Sequence, residues 1–383
     1  MNKELKKQIL DLHKGGKLNI TSKHPIDNRN ILSMAYTPGV AEVCREIEKD
    51  KNLVYKYTIK NNTVAIVTDG SAVLGLGNIG AEASLPVMEG KAQLFKDFAN
   101  VQAFPIALVT QDTEEIINIV KNIYPVFGAI LLEDISAPRC FEIESRLIEE
   151  LDIPVFHDDQ HGTAIIVLAG LINASKVKGV DLKSLKIVIS GAGAAGLAIT
   201  KLLLLAGVED IVILDSKGAL WEGRDRDMNS YKKDIVKKTN PNKLQGSLGD
   251  VIKNRDVFIG VSKPDILTEE MINSMVEDPV IFALANPNPE VNPEIAKAIG
   301  VRLLATGRSD FSNQINNVLV FPGLFRGILD YGIKKITNDI KIAVAEAVAS
   351  CVSKPTAEFF IPDVFDKKVV EKITETIKKF KNS

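Results

Sequence analysis

Only three cysteines, Cys44, Cys140 and Cys351, occur in 383 residues, and they show neither a Cys-x-x-Cys spacing nor a disulfide rhythm. That excludes a disulfide-stapled scaffold and predicts a reduced, cytoplasmic compartment. Charge of one sign is also missing, since 47 Lys+Arg stand against 49 Asp+Glu, a formal charge of −2. This balance points to no nucleic-acid partner and no acidic solvating tail. Long apolar runs are absent as well. The stretch over residues 164–172 is about half the length needed to cross a bilayer, so no membrane span is expected. The N-terminal MNKELKKQILDLHKGG alternates charged with apolar residues and has no uninterrupted apolar stretch or cleavage site, so it reads as a surface helix and not as a signal peptide. Glycine (26) and proline (16) are too few for a fibrous or low-complexity chain. What remains is an ordinary globular composition, 45% hydrophobic and 25% charged, long enough for two domains.

Short β-branched runs alternate with amphipathic segments, the pattern of parallel sheets with helical crossovers. Strands are expected at residues 63–68, 103–109, 128–132 and 153–156, with helices at 82–98, 113–122 and 138–151. A helix over 163–178 leads into a second α/β unit with strands at 185–190, 210–214, 257–260, 280–284, 302–306 and 318–321. Helices at 323–331, 338–351 and 367–380 close the chain, and the polar stretch 221–243 reads as a surface excursion. The expected fold is α/β with two α/β domains, residues 1–158 and 159–317, and a helical C-terminus, 318–383, packing back on the first.

The pattern G-x-G-x-x-G occurs twice, at residues 75–80 and 191–196. The second copy, Gly191-Ala-Gly-Ala-Ala-Gly196, lies between a strand and a helix, and the next strand ends at Asp215, 24 positions after Gly191. Gly191, Gly193, Ala194, Ala195 and Gly196 would then form the turn of a Rossmann-type dinucleotide site, with the helix N-terminus facing the pyrophosphate and Asp215 facing the ribose hydroxyls. A carboxylate should repel a 2′-phosphate and favour NAD, although Ser216 and Lys217 beside it leave NADP open. The first copy has no such acid and is expected to be a close-approach loop.

Glu133 and Asp134 end one expected strand, and Asp158 and Asp159 follow another. Four carboxylates in one crevice repel one another unless a cation neutralises them, and oxygen donors select Mg²⁺ or Mn²⁺. The competing reading is helix capping by Asp158 and Asp159. His157 and His161 are four apart but span a strand end and a glycine, which disfavours zinc and leaves them structural or supporting roles.

Seven segments in order carry a resemblance. They are Ala35-Tyr-Thr-Pro-Gly-Val-Ala41, Pro86-Val-Met-Glu-Gly-Lys91, Leu132-Glu-Asp-Ile135, Phe156-His-Asp-Asp-Gln-His-Gly-Thr-Ala164, residues 191–196, Asn286-Pro-Asn-Pro-Glu290 and Asn316-Asn-Val-Leu-Val-Phe-Pro-Gly323. Together they resemble the malic enzymes, in their short bacterial and archaeal form. The resemblance implies oxidative decarboxylation of L-malate to pyruvate and CO₂, with reduction of NAD(P)⁺ and a required Mn²⁺ or Mg²⁺. By position it implies Glu133, Asp134 and Asp159 as metal ligands, Lys91 as general base, Tyr36 as general acid, and Asp158 as the acid supporting Lys91. Asn286 and Asn317 become contacts to cofactor or substrate. The first domain is then the malate and metal domain, the second the NAD(P) domain, and a homodimer is expected.

To act as base Lys91 must be neutral, so burial and an adjacent metal are expected to depress its pKa. Tyr36, just before the turn Thr37-Pro38-Gly39, is expected to face a cleft. One departure concerns the malate carboxylate: larger malic enzymes have an arginine where this chain has Ala72. Arg29, Arg308 or amides of the 75–80 loop are the candidate replacements. The chain ends at Ser383, without the phosphotransacetylase-like region of some bacterial relatives. Rival readings are a malolactic enzyme that retains NAD and releases lactate, a 2-hydroxy acid dehydrogenase without decarboxylation, and a non-catalytic nucleotide-binding regulator. The second leaves the acid cluster unexplained, and intact Lys91 and Tyr36 argue against the third.

Overall fold

The run Thr-Val-Ala-Ile-Val-Thr forms β1 (Thr63–Thr68), buried at every position. Such continuous burial is what a parallel strand covered on both faces requires. Beside it lie β2 (Gln102–Ala107), β3 (Ala129–Leu132) and β4 (Val155–His157), in the all-parallel order β2-β1-β3-β4. A second sheet contains β5 (Lys186–Ser190), β6 (Asp210–Asp215), β7 (Gly218–Ala219), β8 (Val257–Gly260), β9 (Val280–Ala283) and β10 (Leu303–Thr306). Its order is β10-β9-β8-β5-β6-β7, with only β7 antiparallel. The chain leaves β5 for β6 on one side and returns to β8 on the other, which makes a topological switch point beside β5. This computed structural model describes residues 3–73 and 75–381; Met1 and Asn2 of the expected N-terminal helix, and Leu74, lie outside the described residues.

Helices of seven residues or more are numbered in chain order. The first half carries α1 (Lys3–Leu12), α2 (Arg29–Ala35), α3 (Val40–Lys49), α4 (Gly80–Ala99), α5 (Thr113–Ile123) and α6 (Arg139–Glu150). There follow α7 (Asp158–Lys178), α8 (Ala194–Leu205), α9 (Ser230–Val236), α10 (Phe321–Tyr331), α11 (Asn338–Ser350) and α12 (Lys368–Lys378). Helix α7 starts at 158 and not at 163, so Asp158 and Asp159 occupy its first turn, where the helix dipole favours negative charge. The helix leaves the end of β4 and runs under the second sheet, where Gly170 lies against the Phe282 ring of β9. Apolar residues surround it on all sides, as expected of a helix buried between layers.

Two expectations are corrected. Residues 318–321 form no strand: a 3₁₀ turn, Asn317–Leu319, leads directly into α10, whose Pro322 sits in the first turn where a missing N–H costs nothing. Residues 221–243 are more than a surface excursion, because α9 buries Ile235 and Val236, and buried Asn240 bonds the Leu220 and Leu244 carbonyls. At the C-terminus α10 packs against both α4 and α12, with the Phe95 ring of α4 4.7 Å from Phe321. The N-terminal segment is different: no residue from 3 to 59 is buried. Among the described residues, 15 of the 25 exposed large hydrophobic side chains lie in that segment, Tyr36 among them. No described helix is long and apolar enough to cross a membrane.

Candidate active site

Strand register explains how two acidic pairs meet. Leu132 of β3 pairs with His157 of β4, so Glu133-Asp134 and Asp158-Asp159 leave adjacent parallel strands side by side. Glu133, Asp134 and Asp159 each offer an oxygen within 4.8 Å of the others, and no other such group of metal-binding side chains occurs among the described residues. The Asp134 N–H donates to Asp159 Oδ2 at 2.8 Å. Asp134 itself holds a left-handed φ of 55°, a conformation aspartate tolerates better than most residues. Its carbonyl accepts from the Ala72 N–H at 2.9 Å.

Lys91, on α4, reaches into this cluster, with Nζ 2.6 Å from Glu133 Oε1 and 2.5 Å from Asp158 Oδ2. The Phe321 ring lies under the ammonium at 4.9 Å. Asp158 is fully buried and also accepts from Asn317 Nδ2 at 3.0 Å, and that amide contacts Thr163 Oγ1. Burial favours neutral Lys91, but Asp158, Glu133 and Asp159 outweigh it and raise its pKa. Without a cation Lys91 is the counter-charge of the acids around it, and the expected depression, which includes an adjacent metal, belongs to the metal-bound site. Burial first, then the neighbouring carboxylates, lifts Glu133 well above the ordinary carboxylate range and Asp134 to about 7.

The cluster opens on a cleft of about 820 Å³ lined from both sheets. Lys91, Glu133, Asp134 and Asp159 line one wall, and Gly193, Ala194 and Ala195 the other, at the N-terminus of α8. A Cβ on Gly196 would lie 1.7 Å from the Gly191 carbonyl oxygen, so this helix can approach the turn only with glycine there. Asn286 and Asn317 complete the lining between the walls. Gly75 also lines it, at φ 74° and so close to the Asn286 carbonyl that a Cβ would stand 2.6 Å away, the tight approach expected of that loop.

Other expected residues lie elsewhere. Tyr36 is 66% exposed on the N-terminal segment and does not line the cleft of its own chain. Arg308 pairs with Asp310 and Arg29 is exposed on α2, so neither lines the cleft as a carboxylate clamp. Asp215 ends β6 as expected but is not a free acid. Arg224 Nη2 meets both its oxygens at 2.8 Å, and Lys232 Nζ meets Oδ2 at 2.7 Å. Burial opposes its ionisation, but these bonds hold it below the usual aspartate value.

Several residues were missed. Arg224 and Lys232 were hidden in the stretch taken for a surface excursion, with no spacing signal to mark them. Glu290 carries no signal in the sequence beyond closing the Asn286–Glu290 motif, yet its buried carboxylate accepts from the Ser262 and Ala285 N–H groups at 3.0 Å and ties together the loops after β8 and β9. Glu144 accepts from the His157 N–H, from Gln160 and from His161 Nε2, which fixes the turn holding Asp158 and Asp159. Burial would raise Glu144, but His161, His157 and Lys341 together bring it down to about 2. His161 braces the site through its ring and His157 through its backbone N–H, and neither belongs to the carboxylate trio.

Comparison with known proteins agrees with this geometry. The malic enzyme N-terminal domain matches residues 15–148, and the malic enzyme NAD binding domain matches residues 160–379. A bifunctional malic/malolactic enzyme of Bacillus subtilis is 56% identical over 98% of this chain and 92% of its own length. An NAD-dependent malic enzyme of Geobacillus stearothermophilus is 56% identical over 96% of this chain and 77% of its own. The NADP-dependent malic enzyme of Escherichia coli is 42% identical over 99% of this chain but 52% of its own length. Among solved structures, malic enzyme from Pyrococcus horikoshii superposes with a TM-score of 0.94 at 46% identity, covering 98% of this chain and 90% of that one. In sequence, fold and cleft alike, the chain belongs to the malic enzyme family.

Proposed function

We propose that this cleft oxidatively decarboxylates L-malate to pyruvate and CO₂ with reduction of NAD(P)⁺. The observation that carries the proposal is one cavity holding both the Glu133-Asp134-Asp159 trio beside Lys91 and the Gly193 turn of a dinucleotide fold. A divalent cation fits the donor set, since Glu133 Oε2 and Asp134 Oδ2 are buried oxygens with no hydrogen-bond partner. A dinucleotide fits the second sheet, where a Cβ on Gly193 would meet nothing within 4 Å and the α8 N–H groups face the cleft. When bound, Mn²⁺ or Mg²⁺ supplies Lewis acidity at the malate C2 oxygen, and the nicotinamide accepts the hydride.

Lys91 Nζ takes the C2 hydroxyl proton. Asp158 aims it, and Asn317 in turn fixes Asp158. Lys91 gives up its own proton more easily once Glu133 is shared with a cation, because one of its two carboxylate partners is then engaged elsewhere. Asn286 offers an amide donor to the substrate or the nicotinamide, in place of the arginine absent at Ala72, and Asn317 contacts the same space while holding Asp158. The hydroxyl of Tyr36 protonates C3 of the enolate left when CO₂ departs, which gives pyruvate. Since Tyr36 stands exposed on a segment without a buried residue, it serves the cleft of a second copy in a homodimer, and exposed Leu76 and Val87 at the cleft rim give that segment an apolar seat.

Arg224 and Lys232 neutralise Asp215, so its charge no longer excludes a 2′-phosphate, and both NAD⁺ and NADP⁺ are accepted. The substrate and metal unit comprises residues 1–158 with 318–383, and the dinucleotide unit residues 159–317, in keeping with the packing of α10 on α4. A cytoplasmic site accords with three unpaired cysteines.

The test is absorbance at 340 nm with L-malate, using each cofactor with and without Mn²⁺, while CO₂ and lactate are measured in parallel. Metal-dependent reduced cofactor with equal CO₂ is expected. Reduced cofactor without CO₂ would overturn the proposal. CO₂ and lactate without net reduced cofactor would instead favour the malolactic reading, which the name of the Bacillus subtilis relative keeps in view.

A further inference from the structure

A second cleft, of about 710 Å³, lies behind the metal-binding turn between α7, α8, α9 and α11, and shares no lining residue with the first. Its apolar wall is built from Ala164, Leu202 and Ile235. Its charge is one-sided: Lys201, Lys237, Lys238 and Lys341 face the cavity with Asp234 as the only acid. Asp234 is paired with Lys237 at 2.8 Å, while Lys201 and Lys238 have no carboxylate partner among the described residues. Lys201 rests instead over the Phe141 and Tyr231 rings, at 5.9 and 5.8 Å. Lys341 Nζ lies 3.1 Å from His161 Nδ1 and has no carboxylate partner among the described residues. An apolar wall with several convergent cations in a cavity of ligand size is the usual form of a site for an organic anion.

Position gives the cavity a consequence. Gln160 and His161 line it, follow directly on Asp159, and bond the same Glu144 carboxylate that holds the His157 N–H. We propose that this cleft is an effector site for a small organic anion with an apolar body, its acid group received by Lys201, Lys238 and Lys341, and that occupancy is felt at the metal-binding turn of α7. Burial holds Lys341 below the usual lysine value despite the Glu144 charge, a cost that an anion beside it would offset.

The probe is anilinonaphthalene sulfonate, titrated by fluorescence into the full chain with NADP⁺ saturating so that the dinucleotide site is blocked. Phenyl phosphate should displace it and benzylamine should not. The double variant Lys201→Glu, Lys238→Glu alters exposed side chains and should keep its melting temperature, yet bind the probe at least about tenfold more weakly. Phenyl phosphate should change Mn²⁺ affinity, read by electron paramagnetic resonance without turnover, by about twofold or more in the unaltered chain and not in the variant. Equal displacement by benzylamine, or unchanged probe affinity in the variant, would overturn the site. Mn²⁺ affinity indifferent to phenyl phosphate would overturn its effector role. None of these readouts depends on the identity of the reaction.

Discussion

At the residue scale the decisive feature is a lysine that balances acids. In the proposed mechanism Lys91→Ala abolishes turnover yet leaves dinucleotide binding, followed by NADH fluorescence, largely intact. The same change leaves Glu133 and Asp158 without their counter-charge, which should cost the metal-free chain about 3 kcal/mol at pH 8 in denaturant unfolding. Mn²⁺ should restore more stability to this variant than to the unaltered chain. Near-normal activity of the variant would remove Lys91 from the mechanism. The raised value of Asp134 makes a separate prediction, with its sign set by competition. A carboxyl that keeps its proton up to about pH 7 must lose it to bind a cation. Mn²⁺ affinity should therefore climb as pH rises through 7, and titration calorimetry in two buffers should detect proton release below pH 7. By the same linkage the folded metal-free chain binds this proton more tightly than the unfolded chain. Asp134 therefore contributes stability that declines as pH rises from the ordinary aspartate range through 7.

At the element scale, the proposed chemistry rests on two helix starts, those of α7 and α8. A methyl group at Gly196 would collide with the Gly191 carbonyl oxygen and push the start of α8 off its turn. Gly196→Ala should weaken NAD(P)H binding by at least about tenfold while Mn²⁺ affinity is retained. Equal loss of both would mean that the substitution disturbs the whole fold. These elements also show what a sequence makes legible. The turn at 191–196 was readable because strand, glycines and helix are contiguous, and the two acidic pairs because buried parallel strands announce their own ends. Long-range partners leave no such trace. Nothing near Asp215 signals that Arg224 and Lys232 will fold back on it, and nothing near Asp158 signals Asn317, 159 positions later. The start of α7 was misplaced because its first turn is polar and helical periodicity becomes visible only at its apolar body. The supposed strand at 318–321 failed because a short apolar run reads alike as strand or as the start of a buried helix. Sequence distance likewise hides how many carboxylates converge on the Lys91 nitrogen and raise its value in the metal-free chain.

At the scale of the whole molecule the segment over residues 3–59 stands apart, because it buries nothing within its own chain. If Tyr36 serves a partner's cleft, Tyr36→Phe and Lys91→Ala are each inactive alone, yet mixing them after dissociation and reassembly should regain about a quarter of full activity. Half the assemblies would be mixed, and each would hold one intact cleft. No recovery, with mixed dimers verified by mass spectrometry, would place Tyr36 in the cleft of its own chain. Such an arrangement also changes what inheritance acts upon. An arm that completes a neighbour's chemistry cannot drift independently of the rim that receives it. Substitutions near Tyr36 and near Leu76 or Val87 should then be accepted in compensating pairs, and a hybrid built from two diverged relatives should fail at this seam even where each parent works alone.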